Sequence, residues 1–132
     1  VSSAFNRPVV WTDSYFLQAR TKREGDLFIP SLLWLKVEKR FLTFREMLAA
    51  GMRYAYAGRC QKDGVEVVHN RPEEVAAVVR EMGARCNGTW ESTGEDEALQ
   101  HRFDALYTPE HRGWGLPGRI GTEFLRHHAD LL

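Results

Sequence analysis

The stretch "TDSYF", Thr12 to Phe16, sets a hydroxyl, a carboxylate, a second hydroxyl and two aromatic rings in a row. It follows the short apolar run "RPVVW", which reads as a buried strand, so these groups fall at a strand's carboxyl end, where ligands of open α/β sheets gather. The mixture suits a ribose, a sugar or a base. It suits equally well a plain Asx-type turn with Tyr15 and Phe16 packed beneath it, and spacing alone does not choose between the two. His69 is a second candidate, because it ends the strand "VEVV" just before a helix and so reaches the same kind of edge.

Little else in the chain announces chemistry. There is no nucleophile elbow, Walker loop, GxGxxG fingerprint or metal-ligand spacing, and each of those needs a local geometry that sequence usually betrays. "RGWGLPG" is glycine-rich but has no strand before it, which makes it a loop rather than a phosphate cradle. His127 and His128 fall in the last turn of an expected helix, where positive charge favours the open carbonyls. Neighbouring residues on a helix diverge by ~100°, so this pair reads as helix-end residues rather than ligands of one metal.

The elements that must position these groups can be read in outline. "LFIPSLLWL" is strongly apolar, but Pro30 cannot donate to a sheet ladder and demotes the run to an edge strand, a strand end or a packed loop. "TFREMLAAG" is a short helix with a Thr43/Glu46 capping box and Gly51 as its stop. "YAYAGRCQKDG" reads as an irregular return to the sheet, and Asp63 and Gly64 then turn the chain into "VEVV". Next comes "NRPEEVAAVVREM". Here Asn70 is the expected N-cap, Pro72 fits the first turn and Glu73 completes a capping box. Val75, Val78, Val79, Met82 and Cys86 follow at helical spacing as the core face. A third helix begins near Thr93 with Leu99, Phe103 and Leu106 inward. A fourth begins after Leu116, with Pro117 in its first turn and Ile120, Phe124 and Leu125 inward. Strands alternating with helices argue for an α/β fold with a small parallel sheet, flanking helices and further helices appended at the C-terminus.

At 132 residues the chain is one domain, spanning 1–132, and large enough to bury a core without staples. Eighteen basic residues balance eighteen acidic ones, so no general field draws in nucleic acid, although a local basic patch is compatible with that balance. Cys60 and Cys86 do not form a CxxC pair and read as buried thiols in a reducing compartment. No apolar run approaches the ~20 residues that span a bilayer, and no signal peptide opens the chain, which makes cytoplasm the expectation. No cofactor is expected. The chain opens without Met and goes almost at once into a strand, as if entered partway through a larger fold, and two or three strands are few for an independent α/β layer. A missing N-terminal domain or a homo-oligomer that shares the sheet would both answer that.

Taken in order, "FNRPVVWTD", "GDLFIPSLLW", "FLTFREMLAAG", "NRPEEVAAVVREM", "NGTWEST" and "GRIGTEFLRHHADLL" resemble the C-terminal portion of a family of bacterial glycosyltransferases of surface carbohydrate synthesis. The resemblance implies a Rossmann-like, donor-binding half of a two-domain enzyme. It implies a nucleotide-sugar donor near Thr12, Asp13, Ser14 and Tyr15, flanked by His69, with the "NRPEE" helix closing the sheet. The turn that meets the diphosphate and the acceptor half, with its catalytic base, have no counterpart in these residues, so the resemblance implies donor binding that is incomplete for catalysis alone. Two other readings stand beside it. One is a non-catalytic α/β module that self-associates or binds a partner through Trp11, Phe28, Trp34, Trp90 and Trp114. The other is an unrelated small enzyme with a pocket at the same sheet edge.

Overall fold

The computed structural model describes residues 4–14, 17 and 20–132. Along the chain run β1 (Val10–Ser14), β2 (Leu27–Pro30), β3 (Leu32–Leu35), β4 (Arg40–Phe41), α1 (Phe44–Ala50), α2 (Ala57–Asp63), β5 (Val65–Val68), α3 (Pro72–Cys86), α4 (Gly94–Asp104), β6 (Arg119–Ile120) and α5 (Thr122–His127). Single 3₁₀ turns occupy Arg53–Ala55 and Ala129–Leu131. Strands β1, β2 and β6 form a small parallel sheet with β2 in the middle. The chain is a mixed α/β fold with several helices around that sheet, consistent with a small Rossmann-like architecture.

A second sheet, antiparallel in the order β4-β3-β5, was not anticipated. It arises inside "LFIPSLLWL". Pro30 ends β2, as its missing N–H predicts, and after Ser31 the remaining apolar residues enter a different sheet rather than a loop. One hydrophobic run therefore feeds two layers. Between them lies a core in which Phe103 meets Phe28, Phe44 and Tyr107 edge-on or tilted. Such ring pairs add to the burial of their area.

The predicted capping box of α1 holds atom by atom, and α4, expected to begin near Thr93, has one as well. Thr43 Oγ1 accepts from Glu46 N–H at 3.2 Å while Glu46 accepts from Thr43 N–H at 2.7 Å. Thr93 and Asp96 repeat the arrangement at 3.1 and 2.9 Å. "YAYAGRCQKDG" is not irregular, however. It forms a 3₁₀ turn and α2, whose only buried residue is Cys60, so the segment lacks the apolar period that marks a helix. Gly64, at φ 68°, closes α2 in the left-handed region.

The largest correction concerns α3. Val78 is buried and Val75 and Met82 pack partly against the core as expected, but the fully buried face is Glu74, Ala77, Val78 and Glu81, while Val79 is 54% exposed and Cys86 is exposed. Of the two cysteines only Cys60 is a buried thiol. The physical reason for the rotation is that both inward carboxylates find donors. Glu81 accepts from the Thr122 N–H at 2.8 Å, from the Thr122 hydroxyl at 2.9 Å and from Arg85 at 3.0 Å. A buried carboxylate so provided for can displace an apolar residue from the core face, and it satisfies an N-terminal amide of α5 that the short helix cannot satisfy itself.

The C-terminal helix also begins later than expected, because Arg119–Ile120 joins the parallel sheet first. Arg119 N–H donates to Asp26 O at 3.1 Å and Gly121 N–H to Phe28 O at 2.9 Å. Gly121 permits this docking: a Cβ there would stand 2.9 Å from the Ile29 side chain. Arg126 then clamps α5 to α4 through two bonds of 2.6 Å to Asp96.

Candidate functional site

Strands β1 and β5 belong to different sheets, yet their carboxyl ends meet. The joint is reciprocal. Asp13 N–H donates to Asn70 Oδ1 at 2.6 Å, and Asn70 N–H donates to the Asp13 carboxylate at 2.7 Å, across 57 positions of sequence. Asn70 Nδ2 donates to Pro30 O at 2.8 Å, and the Ser31 hydroxyl donates to Asp13 Oδ1 at 3.1 Å. The clasp thus pins the point where the chain leaves β2 for β3. Asp13 adopts φ 50°, a left-handed conformation that Asp and Asn tolerate better than most residues, and the β1–β2 register slips there.

Asn70 is therefore not the N-cap of α3. Arg71 holds that position, and Glu74, not Glu73, reaches back to its N–H at 2.9 Å. His128 Nε2 lies 2.9 Å from the other oxygen of Glu74. Burial disfavours the ionised form of Glu74, but the hydrogen bonds from His128 and Arg71 outweigh it and hold its carboxyl below its ordinary range.

His69 projects beyond the clasp, with its side chain 63% exposed and Nδ1 3.4 Å from the Asp13 carboxylate. It lies on the rim of two clefts. One, of about 490 Å³, runs past Tyr54, Gln61, Lys36 and the edge of β5. The other, of about 290 Å³, lies between Leu32, Phe41 and the start of α3, with Arg71 and His128 on its wall.

The residues singled out by sequence are thus brought together only in part. Asp13 and His69 are neighbours. Thr12 is exposed on β1, and Ser14 opens on a separate cleft with Trp11. Tyr15 lies outside the described residues, as does Phe16. Asn70, Arg71 and His128 were missed as site residues. The first two were visible only as helix-start residues, and His128 only as a helix-end one. Among the described residues no group of three or more His, Cys, Asp or Glu side chains converges as a metal site, and no helix is long and apolar enough to cross a membrane.

Comparison with family models, with characterised proteins and with solved structures finds no match to this chain.

Proposed function

We propose that the chain binds a nucleoside diphosphate sugar at the carboxyl ends of β1 and β5, as the donor-binding part of a glycosyltransferase. The observation that carries this reading is the polar ridge of Asp13, His69 and Asn70 between two clefts, each with cationic groups on its wall. His69 and Arg71 flank the start of the 15-residue α3, and their side chains, rather than helix amides already capped by Glu74, would meet an anion there. The wider cleft beside Tyr54 leaves room for a sugar or base. The reading is of donor binding without transfer. Much of a transferase's rate comes from holding donor against acceptor, and the acceptor half of that architecture has no counterpart in these residues.

The test is thermal unfolding against a panel of nucleoside diphosphates and their sugars. At 100-fold over its Kd, a ligand of the native state adds about 2.7 kcal/mol of stability, which a melting curve resolves easily. At least one member should raise the Tm, and the His69→Ala and Arg71→Ala variants should lose most of that rise. A flat response across the panel overturns the proposal.

A second reading, self-association, is favoured by one observation: Phe5, Trp11, Tyr56 and Trp114 are each more than half exposed. Phe28, by contrast, is in the core, Trp34 packs on Phe41, and Arg85 lies over Trp90. A concentration-independent dimer mass together with a flat nucleotide response would select this reading.

A further inference from the structure

A third cleft, which includes the β1 residues Trp11 and Ser14 but not His69, has a different character. It encloses about 410 Å³ and is lined by Trp11, Ser14, Thr21, Lys22, Arg23 and Asp26, with Arg20 as its back wall. Trp11 stands on the outer strand of the parallel sheet with 51% of its surface open to water. Beside it are two cations, Lys22 and Arg23. Neither Lys22 nor Arg23 pairs with a carboxylate among the described residues. The Arg23 side chain makes one long bond of 3.2 Å to Asn6 Oδ1, and its Nη1 has no hydrogen-bond partner among the described residues. The acid in the lining, Asp26, is buried, accepts from Val9 N–H at 2.8 Å and forms no ion pair with either cation among the described residues, so it offsets at most part of their charge.

The wall behind these groups is densely bonded. Arg20 donates twice to Gly118 O, at 2.9 and 2.7 Å, pairs with Asp104 at 2.7 Å and lies over the Tyr107 ring. Thr21 packs directly on Gly118, where any side chain would collide with it. A cleft whose backing is held this firmly requires little ordering when it binds a ligand.

An open indole beside two cations recognises a ring that carries an anionic group. The ring stacks on the π face, the anion meets Lys22 and Arg23, and the Ser14 hydroxyl can donate to or accept from a ring hydroxyl. We infer that the Trp11–Lys22–Arg23 cleft is a binding site for a phosphorylated ring compound, a sugar phosphate or a nucleoside monophosphate. The site is separate from the His69 ridge and does not depend on the donor reading.

Calorimetric titration of the 132-residue chain tests this, with glucose 1-phosphate and uridine monophosphate as ligands and glucose and inorganic phosphate as controls. At least one ring phosphate should bind tenfold or more tightly than either control, and the stronger of the two names the ring. Trp11→Ala should weaken that binding at least tenfold, as should the Lys22→Ala/Arg23→Ala double variant, while His69→Ala leaves it unchanged. Trp11 is exposed, so its variant should keep the urea midpoint of the parent. If it does not, the double variant decides alone. The site is overturned if neither ring phosphate binds, if inorganic phosphate binds equally well, or if binding survives in the double variant. Binding that is lost in His69→Ala but kept in Trp11→Ala belongs to the other site and overturns this one.

Discussion

Glu81 and Asp13 do comparable work at opposite exposures. Each carboxylate gathers donors from a segment far away in sequence: Glu81 from Thr122 and Asp13 from Asn70. Glu81 is 2% exposed and the Asp13 side chain 38%. Water cannot replace a lost partner at the first site and can at the second. The buried cluster is therefore architecture alone, whereas the open one combines a structural joint with surface that a ligand can reach.

Substitutions should expose that difference, beginning with the largest effect. Glu81→Ala leaves the Thr122 N–H and hydroxyl and the Arg85 guanidinium without their acceptor, and should cost about 3 kcal/mol in urea unfolding. A loss under about 1 kcal/mol would mean that the two carboxylates are not distinguished by burial. The same rotation of α3 is tested by paired truncations. Val78→Ala, at a position 2% exposed, should cost about 2 kcal/mol, while Val79→Ala should stay within about 0.5 kcal/mol. Had Val79 faced the core, the two would be equal.

Asp13→Ala comes next. It removes the acceptor of Asn70 N–H and Ser31 and puts a less tolerant residue at φ 50°, so it should cost about 1–2 kcal/mol. Asp13→Asn should recover much of this, because Asn accepts a hydrogen bond and tolerates the conformation. Asp13 is accordingly a poor probe of ligand binding, since any lost affinity mixes with lost fold. His69→Ala is the better probe: stability within about 0.5 kcal/mol, with the nucleotide response reduced.

Acid should act on the clamps between elements. Arg40 holds Glu46 down to about 2, with help from the Thr43 amide, and Arg126 holds Asp96 well below the usual carboxylate range against the opposing effect of burial. Glu74 is lowered as well. In each case the folded state holds the proton more weakly than the unfolded chain does. Their contribution is therefore complete above the unfolded carboxylate pKa of about 4 and declines as pH falls towards 2. The urea midpoint should drop steadily across that window, and Asp96→Asn should flatten part of the drop.

Local physics was legible wherever one segment supplies both halves of an interaction. Thr43 with Glu46, the helix start at Thr93, and Gly64 after Asp63 are such cases, because caps and turns are satisfied within three or four residues. The α/β class followed from alternation of elements for the same reason. The site was legible only as residue types: Asp13 and His69 were picked out, but Asn70 read as a cap because Asn before Pro-Glu-Glu has that local use.

By itself, then, the sequence determined the capping box of α1, the strand at "VEVV", the break at Pro30 and the mixed α/β character. Tertiary structure alone decided that "LFIPSLLWL" feeds two sheets and that α3 turns its glutamates inward. It also decided that Asn70 clasps Asp13, and that Trp11 shares a cleft with Lys22 and Arg23. In each of those cases a polar or apolar group is satisfied by a partner tens of residues away, and short-range spacing carries no record of which distant group will arrive.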